Sequence, residues 1–322
     1  MPPLNFTSAG ICKEDTIVLL YYAMKNCRKN LIFVLAALMF LSISACGKSE
    51  PEPTPTVNPY EGMVNVSDGM QGLMWVPLHE NIAACSLDYE FFAQDGEYIT
   101  YLGNSPKTMR GIDVSEHQRE IDWQMVASDG VEFAMIRVGF RGYTEGKIRE
   151  DAYFRQNIEG AKAAGIKVGS YFFSQAISVQ EAEEEAEFVL SLISDYELDF
   201  PMAYDWEIIG GGEQARTDGL DKETLTECAL IFTSKIEEAG YDSAVYFYRR
   251  LGYFEYDLSR LAHLTFWVGA PGEIPDFYYE HDIWQYSFTG NVSGIEGDVD
   301  LNIFFEHPEP NASDQSTTQQ NT

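Results

Sequence analysis

Residues 200–208 read FPMAYDWEI, a mostly apolar run that closes on two acids, Asp205 and Glu207. In an extended strand, residues two apart share a face, so both carboxylates point the same way. Like charges that close repel, and burial adds to the cost of ionising them. Such a pair is either solvated at a strand end or placed for acid–base chemistry, and its surroundings must decide.

Those surroundings alternate in period. Strand-like runs at 110–115 (RGIDVS), 131–140, 166–175, 200–207, 243–248, 264–270, 282–287 and 299–305 make eight in all. Helical spacing fills 150–165, 178–194 and 221–240, with Ser178 as a cap and Gly165 and Gly240 as stops. Connections in the second half are shorter. Repeated strand–helix units predict a parallel sheet covered by helices, and eight of them predict closure into a barrel. The fold expected is α/β, an irregular TIM-type (β/α) barrel with reduced helices in its second half. A doubly wound open sheet is the alternative, but the phosphate-binding Gly-x-Gly-x-x-Gly is absent after the first strand.

Working outward, residues 107–308 form the barrel, preceded at 61–106 by a small β extension with two strand-like runs, GLMWVPL and GEYITYLG. Residues 46–60 are rich in Pro, Thr and Glu and read as a flexible tether, and 309–322 as a disordered tail. Residues 1–45 read as a signal-peptide region whose better start is Met24: Lys25, Arg28 and Lys29 precede an apolar stretch from Leu31 to Phe40. That stretch is shorter than the ~20 apolar residues a spanning helix needs. Ile43-Ser44-Ala45-Cys46 resembles the lipobox of bacterial lipoproteins, which implies lipidation of Cys46 and a site on the outer face of the bacterial cell membrane.

The chain has 322 residues and a net charge of −30, from 21 Lys plus Arg against 51 Asp plus Glu. Nucleic acid is thereby excluded as a partner, since phosphates need a basic face. Contact with anionic lipid would have to be covalent or inserted. Of five cysteines, Cys85 and Cys228 alone lie beyond the leader and Cys46, and they could pair. No Cys-x-x-Cys occurs and the five histidines are scattered, so neither a metal nor another cofactor is expected.

In such barrels the reactive groups stand at the C-terminal strand ends. Those ends carry Asp113, then Asp205 and Glu207, then Trp284, Gln285 and Tyr286; Asp300 and Asn302 lie nearer the start of the last strand. Several carboxylates around one mouth suit glycosidic cleavage, which needs one acid to protonate the leaving oxygen and a second group to stabilise the cationic sugar. Crowding raises one pKa, so that one acid keeps its proton near neutrality. Taken singly, each of these residues has a plainer reading: Asp113 as a turn cap, Asp300 as a loop-amide acceptor, Tyr171 as packing, Trp123 and Trp267 as core, and His117 as structural. Arg137 reads as the partner of a barrel acid, and Glu181 to Glu187 as a solvated helix face.

Five segments in order, RGIDVSEHQREIDW, VEFAMIRVGFRGY, GIKVGSYFFSQA, FPMAYDWE and DIWQYSFTGNVSGIEGDVDLN, resemble the successive motifs of family 25 glycoside hydrolases over about Arg110 to Phe305. These are lysozymes that cut the β-1,4 bond from N-acetylmuramic acid to N-acetylglucosamine in peptidoglycan. The resemblance implies an irregular barrel, no cofactor, peptidoglycan strands as partner and a monomer. It implies Glu207 as general acid and Asp205 as the carboxylate that orients or stabilises the substrate acetamido group. Asp113 and Asp300 would be further cleft acids, and Tyr171, Trp284 and Gln285 substrate-binding positions. Two residues depart from the pattern: Arg119 stands where the family usually has Gly, and Phe172 where many members have His. A non-catalytic glycan-binding lipoprotein on the same fold is the competing function. A chitinase-type barrel is disfavoured, because Phe200 and Ala203 replace the acids its motif requires before Asp205.

Overall fold

The computed structural model describes residues 58–69, 72–210 and 212–307, so the leader, Cys46 and the tail lie outside the described residues. Residues from Tyr60 onward form one compact unit. Strands β1 (Met63–Ser67) and β2 (Leu73–Pro77) make one hairpin, and β3 (Phe92–Asp95) and β4 (Tyr98–Tyr101) another. The barrel follows: β5 (Lys107–Val114), β6 (Phe133–Arg141) with a short partner β7 (Ile148–Glu150), then β8 (Lys167–Ser174), β9 (Met202–Trp206), β10 (Ser243–Tyr248), β11 (Thr265–Gly269), β12 (Ile283–Gly290) and β13 (Val299–Glu306). β5 pairs with both β6 and β13, which closes eight strands into a ring.

Period-2 alternation sorts the side chains into two cores. Phe133, Met135, Tyr171, Phe200, Ala203, Ala244, Tyr246, Trp267 and Ile283 fill the inside of the ring. Phe133 and Phe200 stack at 4.6 Å to plug its lower end. Their neighbours in sequence, such as Ala134, Met202, Tyr204 and Val245, face outward toward the helices.

Helix α1 (Trp123–Ser128) follows β5, α2 (Phe154–Ala163) follows β7, α3 (Val179–Ile193) follows β8, and α4 (Lys222–Glu238) follows β9. Caps set their starts: the Ser178 side chain accepts from Glu181 N–H, and Asp221 from Thr224 N–H. After β10 only two short helices remain, α5 (Arg249–Phe254) and α6 (Leu258–Leu261), and none stands between β12 and β13.

The wholly parallel sheet expected from the sequence is corrected here. β13 runs antiparallel to both β12 and β5, because residues 291–298 between β12 and β13 are too short a stretch for the crossover a parallel strand needs. An antiparallel strand starts at the end where its neighbours finish. Asp300, near the start of β13, is therefore the cross-strand partner of Asp113, near the end of β5.

The extension covers the side where helices are missing. Phe92 meets Trp284 edge-on at 5.5 Å and Phe305 at 6.1 Å. The Tyr98 hydroxyl donates to Asp129 at 2.9 Å, and Ile99 N–H to the Tyr286 hydroxyl at 3.3 Å. Cys85 N–H donates to the Tyr278 carbonyl at 2.8 Å. Cys85 and Cys228 are both free thiols.

Truncating Phe92 to Ala should therefore cost the whole domain about 2–3 kcal/mol, somewhat below the loss for a fully buried Phe. Urea unfolding followed by tryptophan fluorescence measures this; a midpoint unchanged from wild type would mean that the extension does not stabilise the barrel.

Candidate active site

A cleft of about 890 Å³ opens over the C-terminal ends of the parallel strands, lined among others by Asp113, Tyr171, Asp205, Glu207, Tyr246, Trp267, Gln285 and Asp300. The acids arrive from separate elements: Asp113 from β5, Asp205 from β9, Glu207 just past β9, and Asp300 from β13. Strand alternation aims each inward, as the shared face of Asp205 and Glu207 requires.

Two carboxamides organise the floor. Gln285 Nε2 donates to Asp113 Oδ2 at 2.8 Å and reaches Asp300 Oδ2 at 3.5 Å. Asn302 Nδ2 donates to the same Asp113 oxygen at 2.8 Å. Each amide is itself oriented: the Tyr246 hydroxyl donates to Gln285 Oε1 at 2.7 Å, and Trp267 Nε1 to Asn302 Oδ1 at 2.8 Å. Gly269 makes this possible, since a Cβ there would stand 2.5 Å from the Tyr246 hydroxyl oxygen.

Asp113 thus receives two amide hydrogens and a hydrogen bond from Asp300. Burial pushes its pKa up and those three bonds pull it back. Asp300 has burial, the Asp113 charge and the shared hydrogen bond all acting against ionisation, and its pKa rises to about 9. Within this pair Asp300 holds its proton the more tightly and Asp113 is the first to ionise. Glu207 rises to about 7, through burial first and the Asp113 anion second. Asp205 is raised well above the carboxylate range by burial, then by Glu207 and Asp113, against the pull of Arg137. Its Oδ1 is buried with no hydrogen-bond partner among the described residues.

Tyr171 lies inside the cleft with its ring against Trp267 at 5.7 Å. Trp284 does not line it. Adjacent strand residues face opposite ways, so with Gln285 turned inward, Trp284 turns outward. It is fully buried there, with Nε1 donating to the Ala270 carbonyl at 2.8 Å. The sequence expectation for Trp284 is corrected on this ground, while Trp267, read as core, is buried in the inner core and borders the cleft from below. Tyr246 and Asn302 complete the floor; Tyr246, two residues on from Ala244 on an alternating strand, could have been found from that pattern.

Other neighbours differ from their sequence reading. Arg137 pairs with Asp151 at 2.8 Å and with Glu116, the first residue of a 3-10 turn, at 3.4 Å; neither acid is on a barrel strand. His117 stands exposed on the cleft rim. Glu185 is fully buried, bonded to Arg141 Nε and the Ser174 hydroxyl at 2.6 Å each, because it falls on the inward stripe of Ala182, Ala186 and Val189. Arg119 has φ 57° and ψ −132°, a conformation that favours glycine, which accounts for the residue usual at that place in the family pattern. Phe172 is wholly buried on the outward face of β8, away from the acids. Among the described residues, no group of three or more His, Cys, Asp or Glu is arranged to hold a metal ion.

Residues 112–295, more than half of the chain, match the model of the glycosyl hydrolases family 25. The chain belongs to that family. Within it, the chain is 30% identical over 199 residues to the autolytic lysozyme of Clostridium acetobutylicum, covering 62% of this chain and 56% of that one. It is 29% identical over 209 residues to lysozyme M1 of Streptomyces globisporus, covering 61% and 67%. The modular autolysin LytC of Streptococcus pneumoniae, solved with a synthetic peptidoglycan ligand, superposes with a TM-score of 0.52 at 28% identity, over 62% of this chain and 47% of LytC. The chain therefore spans about half the length of the autolytic lysozyme and of LytC. The matched stretch holds Asp113, Tyr171, Asp205, Glu207 and Gln285, and Asp300 lies just beyond it.

The raised pKa of Glu207 carries a cost. The unfolded chain releases this proton near the ordinary glutamate value of 4.5, whereas the folded chain holds it to about 7. Stability is therefore greatest below pH 4.5 for this group and falls as pH rises through that window. Replacing Glu207 with Gln should remove the penalty and stabilise the fold by up to ~3 kcal/mol at pH 8, with little gain at pH 4. Thermal melts of both proteins at the two pH values check this, and an equal or lower melting temperature for E207Q at pH 8 would show that Glu207 is not held protonated.

Proposed function

We propose that the protein is a peptidoglycan hydrolase of the muramidase type, cleaving the β-1,4 bond between N-acetylmuramic acid and N-acetylglucosamine. The observation that carries this reading is the convergence of Glu207, Asp205, Asp113 and Asp300 on one cleft, with Glu207 poised at about 7. The lysozymes among its relatives and the peptidoglycan ligand in LytC supply the substrate class.

Glu207 is the proton donor to the glycosidic oxygen. As the bond breaks, positive charge grows at the sugar's anomeric carbon, inside a mouth that already holds the Asp113 anion. Asp205, on the cleft wall, meets the acetamido group of the sugar and fixes its orientation. Water completes the hydrolysis and returns a proton to the Glu207 carboxylate. Tyr171, Tyr246 and Trp267, packed edge to face, form a buried aromatic floor beneath the sugar. On the same reading, residues 1–45 direct export, Cys46 carries lipid, and a monomeric enzyme works at the outer face of the cell membrane on the end of the 46–60 tether.

Purified wall should lose turbidity with the wild-type chain and at least ~10²-fold more slowly with E207Q, the usual contribution of a general acid. kcat should fall as pH rises through about 7, where Glu207 loses its proton. Equal rates for the two proteins would remove Glu207 from the reaction. Binding of glycan strands with no new reducing ends would favour the non-catalytic glycan-binding module instead.

A further inference from the structure

Glu207 stands where the β-ladder has run out. The last rung from β9 to β8 is Ser174 with Trp206, and the last to β10 is Tyr246 with Asp205. Glu207 is one residue beyond the first and two beyond the second. Nothing in the sheet fixes the backbone from which its carboxyl is aimed.

Gln175 occupies the position of the next rung, immediately after Ser174, and is fully buried. Its side chain does what a ladder partner would do. Nε2 donates to the Glu207 carbonyl oxygen at 3.0 Å. A carbonyl only accepts, so this bond fixes which way the carboxamide points. Oε1 is left to accept from the Thr217 hydroxyl at 2.8 Å, also in a buried setting. The main chain of Gln175 is held as well: its carbonyl accepts from Arg216 Nη1 at 3.0 Å, and that guanidinium grips Glu181 through two bonds of 2.6 and 2.7 Å. One side chain therefore ties both ends of the segment from Glu207 to Thr217 to the end of β8.

We propose that Gln175 is the positioning residue of the catalytic acid, standing in for the missing ladder rung and holding the Glu207 backbone so that its carboxyl stays in the cleft. The inference rests on the reading of Glu207 as proton donor. Gln175 does not line the cleft, so it acts through Glu207 and not on the sugar. Without the carboxamide, the Glu207 carbonyl and the Thr217 hydroxyl lose their buried partner, and the segment moves until water satisfies them. The carboxyl then leaves its place and its burial together. Sub-ångström placement is what general-acid catalysis depends on, and a misplacement of ~1 Å costs up to ~10²-fold in rate.

The test uses the full chain carrying Gln175→Leu, Thr217→Val or both, with two readouts: kcat and KM on glycan strands, and the carbon-13 titration of the Glu207 carboxyl, assigned with E207Q. For Gln175→Leu we expect kcat to fall ~10–100-fold with KM within about twofold, and the Glu207 midpoint to drop from about 7 toward ordinary carboxylates. Thr217→Val should lose less, and the double variant no more than Gln175→Leu alone, because the two groups act through one bond chain. A folded Gln175→Leu protein with wild-type kcat and an unmoved midpoint overturns the proposal. If that variant does not fold, Thr217→Val decides alone: a smaller kcat and a lowered midpoint support the proposal, and no change in either overturns it. A wild-type chain inactive on wall would reject the enzymatic reading, while the titration would still decide whether Gln175 positions Glu207.

Discussion

Asp113 receives amide hydrogens from Gln285 and Asn302 at 2.8 Å each and a further bond from Asp300, and the rest of the mouth is arranged around the anion so fixed. Two amides that each have their oxygen already occupied can only donate toward it. With one carboxylate thus made the acceptor, its neighbours are disfavoured as ions by burial and by its charge. Asp300 keeps the proton it lends, Glu207 titrates near neutrality, and Asp205 is pushed well above the carboxylate range by burial and by its neighbours. Four acids in one pocket would be untenable if all were charged. They coexist because burial and mutual repulsion raise all four, while the amide bonds make Asp113 the first to ionise.

That arrangement depends on a feature of the fold outside the cleft. The last strand returns antiparallel, which brings Asp300 and Asn302 to the same end as Asp113. The same short connection leaves the outer face of β12 and β13 without a helix. Phe92 and Tyr101 of the extension cover that face, packing on Trp284 and Phe305. Trp284, buried on the outside, and Gln285, turned to the cleft floor on the inside, are consecutive residues of one strand. The extension thus holds in place the strand that supplies the central amide of the site.

The barrel was legible because its periodicity is strong: eight alternating runs, with capped helices between the early ones. The acid pair was legible because Asp205 and Glu207 sit two apart at the end of an apolar strand. The direction of β13 was not, since strand runs carry no mark of polarity; the clue was the short connection before it and the acids at its start. Trp284 was misread although the rule that corrects it, opposite faces for adjacent residues, applies to the sequence alone. Glu185 was lost in a run of glutamates, yet its spacing to Ala182 and Val189 places it on the buried stripe. Gln175 and Thr217 carry no pattern at all. They lie 42 positions apart and meet only once the barrel is closed.

The claim that most of this mouth is kept protonated can be measured directly by infrared spectroscopy of the carboxyl region across a pH titration. The account predicts a protonated-carboxyl band that survives at pH 6, loses one component near 7 that is absent in E207Q, and loses another near 9 that is absent in D300N. A spectrum in which every carboxyl is ionised by pH 6 would contradict it.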